Sequence, residues 1–94
     1  MKINFSKEYK LALGEQVRYI AKDKPLAAKK FKIELVKRIQ KDLKFPFHFK
    51  ESIFSDGDEN IRDYIFKGYI SVYKIDIQQN TIFVFGFIKH RNSF

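Results

Sequence analysis

Two helices are indicated by the spacing of apolar residues in the first half of the chain. From residue 7 to about residue 22, and again from 25 to about 44, apolar positions recur every three or four residues, which is the spacing of one face of an amphipathic helix. Pro25 separates the segments, because it disfavours a helical Lys24 and suits the first position of a new helix. The sequence therefore predicts an antiparallel helical hairpin. Its inward-facing residues are Tyr9, Leu13, Val17 and Ile20, then Ala28, Phe31, Leu35, Ile39 and Leu43.

Alternation of polar and apolar residues predicts strands on both sides of this hairpin. A short strand is predicted over Lys2–Phe5, followed by a helix cap at Ser6. After Pro46 the period changes to two, which predicts four further strands at residues 47–54, 61–67, 69–76 and 81–90. Polar clusters at residues 55–60 and 78–80 predict the turns between them. The nearly continuous apolar run of the last strand indicates a central position covered on both faces.

The elements follow the order β-α-α-β-β-β-β and predict a single α+β domain over residues 1–94. Strands joined by short turns pair antiparallel, so we expect an N-terminal strand in a mainly antiparallel sheet. The helical hairpin is expected to pack on one face of that sheet, because helices and strands are segregated along the chain. A chain of 94 residues can build one hydrophobic core but not two.

Composition narrows the possible partners and excludes several kinds of site. Nineteen Lys and Arg against eleven Asp and Glu give a net charge of +8, which attracts RNA, DNA, the ribosome or an acidic protein. The simpler interpretation is a charged surface that keeps a small domain soluble. With no cysteine and only two histidines, we expect no disulfide, metal or cofactor. No apolar run approaches the roughly 20 residues of a membrane span, and no signal-peptide pattern is present, so we expect a cytoplasmic protein that does not enter membranes.

Three stretches resemble the RelE/ParE superfamily, the toxins of bacterial type II toxin–antitoxin systems. The first is Tyr19-Ile20 with DKPLAA at residues 23–28, where a proline and small residues open the second helix. The second is NIRDYIFKGYISVYKID at residues 60–76, and the third is IFVFGFIKHR at residues 82–91, which is similar to the last core strand and basic end of these toxins. The resemblance covers nearly the whole chain, and the order and spacing of the three stretches carry it.

This resemblance implies a growth-inhibiting toxin and a cognate antitoxin. The antitoxin is expected to be an acidic protein, usually encoded beside the toxin, whose flexible segment wraps the toxin domain in a hetero-oligomer. ParE-like members poison DNA gyrase, whereas RelE-like members are ribosome-dependent endonucleases that cleave messenger RNA. A non-toxic basic nucleic-acid-binding module remains the third alternative.

If the chain is a metal-independent endoribonuclease, the resemblance assigns the catalytic roles to Arg62, His90 and Arg91, on the open sheet face and at the chain end. Such cleavage needs a group that activates the 2′-hydroxyl, a cation for the charged phosphorane and a proton donor for the leaving oxygen. His90 and Arg91 have a simpler alternative as exposed side chains at a strand end. The alternative for Arg62 is an ion pair with a nearby carboxylate, either Asp63, Asp76 or Glu59.

Three more residues are predicted to contact nucleic acid or the target. Lys50 and Lys67 are candidate phosphate contacts, and Phe94 is a candidate for stacking a base. Two departures from the nuclease members weaken the RNA-cleavage hypothesis. Phe94 stands where many nuclease members carry a tyrosine hydroxyl, and residues 47–52 lack their lysine-rich loop of small residues. Gyrase poisoning is therefore slightly favoured over cleavage of messenger RNA.

The last strand also predicts a surface for the antitoxin. Strict alternation places Phe83, Phe85 and Phe87 on one face, opposite the face shared by Ile82, Val84 and Ile88. If the aliphatic face meets the helices, the three rings need a cover, and the antitoxin is the predicted one. Burial by the chain tail and by the curvature of the strand is the alternative.

Overall fold

The computed structural model describes residues 1–89 and contains two helices and one four-stranded sheet. The elements in chain order are β1 (Lys2–Phe5), α1 (Lys7–Ala21), α2 (Pro25–Asp42), a 3-10 helix (Pro46–His48), β2 (Ile61–Phe66), β3 (Tyr69–Asp76) and β4 (Thr81–Lys89). The strands lie in the order β1-β4-β3-β2. β1 runs parallel to β4, and the other two ladders are antiparallel. The predicted α+β fold with its helical hairpin is confirmed.

The two helices begin where the sequence predicts and end within one or two residues of the predicted ends. Ser6 caps α1, since its hydroxyl accepts a 2.9 Å hydrogen bond from the backbone N–H of Tyr9. Pro25 occupies the first turn of α2, where its missing N–H costs nothing. Neither helix, within residues 1–89, has the length and apolar character that crossing a membrane requires.

The strand predicted at residues 47–54 is wrong, and within residues 1–89 the sheet has three strands after the helices rather than four. This segment holds most of the 3-10 helix and a loop, and its backbone pairs with β2 at a single isolated bridge, between Glu51 and Arg62. The side-chain hydroxyls of Ser52 and Ser55 accept hydrogen bonds from the backbone N–H groups of Phe54 and Gly57. These local bonds turn the backbone away from an extended ladder.

The sheet presents two different faces. Along β3 the odd-numbered residues face the helices, as shown by the 2.8 Å hydrogen bond between the hydroxyls of Ser71 and Tyr9. We call this side, which includes Tyr69, Ser71, Tyr73 and Ile75, the helix-covered face. The opposite side, which includes Ile70, Val72, Lys74, Ile65 and Phe83, is called the open face.

A β-bulge in β4 changes which face its residues reach. Tyr73 pairs with Val84, but the next residue of β3, Val72, pairs with Gly86, so Phe85 is an extra residue in β4. Before the bulge, Val84 belongs to the helix-covered core. After it, Phe87 turns to that same face and packs against Tyr9 and Tyr69. The prediction that three phenylalanines share one face is therefore wrong for Phe87, because the alternation resets at the bulge.

The central position predicted for the last strand is confirmed, but its coverage on both faces is wrong. β4 lies between β1 and β3. Its helix-covered residues Ile82 and Val84 are fully buried, whereas Phe83 and Phe85 remain exposed on the other side. The core lies between the hairpin and the helix-covered face, with Leu35 and Ile39 of α2 at its centre. Burial of such side chains supplies the main favourable contribution to folding.

Candidate functional site

Arg62 lies near the start of β2, on the helix-covered side of the sheet. It is paired with Tyr73, a core residue, and it shares its face with Tyr64 and Phe66 as the alternation predicts. That face is not the open one on which catalytic groups were expected. The side chain of Arg62 contacts the loop that follows α2 and is only partly buried.

The guanidinium of Arg62 is bonded to the backbone rather than to a carboxylate. Its Nε donates to the carbonyl oxygen of Glu59 at 2.7 Å, and its Nη1 donates to the carbonyl oxygens of Phe49 at 2.8 Å and Phe47 at 3.3 Å. The cation also lies 5.3 Å from the centroid of the Phe47 ring. Among residues 1–89, the predicted ion pair between Arg62 and an acidic side chain is replaced by these carbonyl contacts. Arg62 therefore fixes the loop between the 3-10 helix and β2.

Two tyrosines of the sheet, Tyr64 and Tyr73, donate hydrogen bonds to the end of α2 and to the 3-10 helix. Tyr73 donates its hydroxyl to the carbonyl oxygen of Pro46 at 2.6 Å, and Tyr64 donates its hydroxyl to Oδ2 of Asp42 at 2.6 Å. Burial raises the pKa of both hydroxyls well above their ordinary value, and for Tyr64 the hydrogen bond to the Asp42 carboxylate adds to the effect. Both hydroxyls therefore serve here as hydrogen-bond donors to these two acceptors.

Residues 44–50 form a protruding segment that we call the aromatic corner. Phe45 is 72% exposed and Phe47 is 46% exposed, although the backbone beneath them is held by Arg62 and Tyr73. Phe49 anchors the segment by packing edge-on against Tyr64, with ring centroids 5.3 Å apart. A groove of about 560 Å³ runs beside the corner and is lined by Lys41, Asp42, Lys44, Phe45, His48 and Phe49.

Sequence analysis missed the aromatic corner because it assigns residues 47–50 to a strand. The available signal was the run of rings between two lysines, KFPFHFK at residues 44–50. The rings of Phe45, Phe47 and Phe49 alternate with other residues, which is also the spacing of a half-buried strand. Here Pro46 instead opens the 3-10 helix, and the rings of Phe45 and Phe47 reach solvent.

The open face of the sheet carries a second group of exposed rings. Phe83 and Phe85 are 46% and 36% exposed, and their rings stack with centroids 6.3 Å apart. Ile65 on β2 is also exposed on this face. Ile70 and Val72 between them are buried, with Val72 lying against Gly86, where an added Cβ would come within 3.1 Å. The predicted exposed phenylalanine surface is therefore present as a pair rather than a trio.

The remaining predicted site residues lie apart or outside the described residues. Lys67 donates to Oε2 of Glu34 at 3.0 Å, and this hydrogen bond is the main cause that lowers the pKa of the Glu34 carboxyl. Lys50 is the last residue of the aromatic corner, and its carbonyl oxygen accepts from the N–H of Asp63 at 3.0 Å. Their predicted phosphate contacts stay predictions. His90, Arg91 and Phe94 lie outside residues 1–89, which the structure describes.

A helical hairpin on one side of a small mixed sheet is the fold that the resemblance to the RelE/ParE superfamily implies for this chain. A family model described as ParE toxin of type II toxin-antitoxin system, parDE, matches residues 3–94. The chain therefore belongs to the ParE toxin family and is the toxin of a type II toxin–antitoxin system. Membership implies a cognate antitoxin as its partner. No curated protein matches the chain significantly.

Proposed function

We propose that this toxin inhibits growth by binding and poisoning DNA gyrase rather than by cleaving messenger RNA. The observation that carries the proposal is that the guanidinium of Arg62 is hydrogen-bonded to backbone carbonyl oxygens. Two of its three guanidinium nitrogens donate to the carbonyl oxygens of Glu59, Phe47 and Phe49. A cation that stabilises a phosphorane needs donors aimed at the substrate. In this chain those donors hold the loop instead, so Arg62 acts as a positioning residue.

The neighbours of Arg62 support the same proposal. Proton transfer during RNA cleavage needs a group within hydrogen-bond reach that can gain or lose a proton near neutral pH. The hydroxyls of Tyr64 and Tyr73 are bonded to Asp42 and to the carbonyl of Pro46, and burial raises the pKa of each. Both tyrosine hydroxyls hold the backbone or side chains in or next to the aromatic corner, and this supports binding rather than proton transfer as their role.

The experiment compares two activities of the purified toxin. We expect it to block supercoiling by purified gyrase, and we expect messenger RNA in a translation extract to stay intact. Arg62→Lys keeps the charge but cannot donate hydrogen bonds to the same three carbonyl oxygens. It is therefore expected to make the aromatic corner less ordered and to weaken gyrase inhibition. Ribosome-dependent cleavage that disappears in Arg62→Ala would overturn the proposal in favour of an endonuclease. Normal supercoiling at excess toxin would also overturn it.

The stacked pair of Phe83 and Phe85 on the open face is the proposed binding surface for the antitoxin. Rigid aromatic side chains that are exposed together are enriched at the energetic centres of protein interfaces. Ile65 on β2 is exposed on the same face, two strands away from the pair, so a partner segment must cross β3 to contact both. The apolar patch that the toxin leaves exposed is thereby covered in the complex.

This surface is tested by measuring antitoxin affinity for single variants. Phe83→Ala and Phe85→Ala are each expected to weaken binding roughly tenfold or more, the usual loss for an interface centre. Tyr19→Ala is the matched control, because Tyr19 is an exposed ring on α1, away from the open face. Phe87→Ala is a second comparison, because the ring of Phe87 packs against Tyr9 and Tyr69. This substitution is expected to lower the stability of the toxin instead of its affinity for the antitoxin. Unchanged affinity in both open-face variants would place the antitoxin elsewhere.

A further inference from the structure

The aromatic corner combines exposed rings with a fixed backbone. Exposed apolar side chains on a mobile loop are ordinary, but this segment is held at several points from the sheet. Arg62 binds two of its carbonyls, Tyr73 binds the carbonyl of Pro46, and the ring of Phe49 packs on Tyr64. A surface whose backbone is already ordered loses less conformational entropy when it binds a partner. The corner is therefore built as a binding surface, not as a linker.

The charge around these rings is positive. Lys41 and Lys44 line the groove beside Phe45, and Lys50 follows the rings directly in the chain. The one acidic side chain lining this groove, Asp42, accepts a hydrogen bond from Tyr64. The partner is therefore expected to carry negative charge.

Rings and cations at one place match the chemistry of an unpaired nucleic-acid strand. Bases stack on aromatic side chains through faces that a duplex keeps covered, while lysines follow the phosphates. The ring of Phe45 is exposed enough to accept a base, and the ring of Phe47 is supported by the Arg62 cation 5.3 Å from its centroid. An acidic peptide would satisfy the lysines but would leave the two rings without stacking partners.

We propose that the aromatic corner binds single-stranded nucleic acid, with bases stacked on Phe45 and Phe47 and phosphates held by the neighbouring lysines. This inference does not depend on gyrase being the target. DNA and RNA share the chemistry that the corner recognises, and only the 2′-hydroxyl separates them.

Fluorescence anisotropy with labelled oligonucleotides of about ten nucleotides tests the proposal on the purified toxin, using oligo-dT, oligo-rU and a duplex of equal length. We expect either or both single strands to bind more tightly than the duplex, and a preference between them identifies the source. Phe45→Ala and Phe47→Ala are each expected to weaken binding by roughly fivefold to a hundredfold, the loss measured for removing one stacking ring. Tyr19→Ala, an exposed ring on α1, is the matched control and is expected to bind normally.

Charge is tested with a second pair of variants. Lys44→Ala is expected to lower affinity and to reduce the salt dependence by about one released counterion, whereas Lys22→Ala, at the end of α1, leaves both unchanged. Circular dichroism confirms that each variant is folded; the substituted rings and lysines lie outside the buried core. Equal binding of duplex and single strands, full binding by a Phe45→Ala/Phe47→Ala double variant, or tighter binding of poly-glutamate than of either oligonucleotide would each overturn the proposal.

Discussion

The two faces of the sheet use the same kinds of residue for opposite purposes. On the helix-covered face, Tyr73 and Val84 are fully buried, and the tyrosine hydroxyl has a partner. On the open face, Phe83 and Phe85 stand in solvent and touch each other. The same β4 strand supplies residues to both. Aromatic content alone therefore indicates neither core nor binding surface in this toxin. Among the phenylalanines of β4 the bulge decides, because it turns Phe87 towards the helices and leaves Phe83 and Phe85 on the open face.

The largest difference between the two faces is expected when one isoleucine is truncated on the helix-covered side and one on the open face. Ile39 on α2 is 0% exposed and packs on the helix-covered face, whereas Ile65 on the open face is 58% exposed. Ile39→Ala is expected to lower the free energy of unfolding by about 2–5 kcal/mol, because it removes buried methyl groups and leaves a cavity. Ile65→Ala is expected to change it by less than about 0.5 kcal/mol.

Urea unfolding of both variants measures the contrast. A loss for Ile65→Ala that approaches the loss for Ile39→Ala would mean that the open face is part of the folding core. The distinction between a stabilising face and a binding face would then fail.

A smaller effect is expected for the hydrogen bond that joins α1 to the sheet. The hydroxyls of Tyr9 and Ser71 are 2.8 Å apart and buried. Tyr9→Phe removes the phenol and leaves the serine without that partner, which is expected to cost about 1–2 kcal/mol. Tyr19→Phe is the matched control on the exposed side of α1 and is expected to cost nothing measurable. An equal loss in the two variants would show that the buried bond contributes nothing.

The same tyrosine predicts how stability depends on alkaline pH. Burial raises the pKa of Tyr9 to about 12, against 10.0 for an unperturbed phenol. Its contribution is complete below pH 10 and is lost as the pH rises towards 12, because the unfolded chain ionises first. Tyr64 and Tyr73 shift in the same direction. Unfolding free energy measured between pH 9 and 11 is expected to fall less steeply in Tyr9→Phe than in the wild type.

The helices and most of the strands could be predicted because their causes are local. Helix periodicity, the Ser6 cap and Pro25 act within a few residues. The loop at residues 47–54 could not, because its backbone is held by side chains far along the chain. Arg62 reaches carbonyls 13 and 15 positions earlier, and Tyr73 reaches one 27 positions earlier.

The candidate site was harder to predict than the fold for the same reason. The grouping of Arg62, Tyr64 and Phe66 on one face follows from alternation and is confirmed. The face of the sheet on which these three residues lie depends on where the helical hairpin packs, which cannot be predicted from local sequence. In β4, phenylalanine alternates with other residues throughout residues 82–88. Gly86 is the one local signal of the bulge that places Phe85 and Phe87 on opposite faces.

The smallest effect is expected from the ion pair at the rim of the helix-covered face. Lys67 Nζ lies 3.0 Å from Oε2 of Glu34 and joins the β2–β3 turn to α2, but both side chains are substantially exposed. Water and salt screen such a pair, and holding two long side chains together costs conformational entropy. Glu34→Gln is therefore expected to leave the urea midpoint unchanged, both in low salt and in high salt. It also leaves the backbone of the turn intact, where Lys67 and Gly68 both adopt positive φ. A loss comparable to that of Ile39→Ala would show that charge at the rim, rather than apolar burial beneath the helices, distinguishes the stable face of the sheet from the open one.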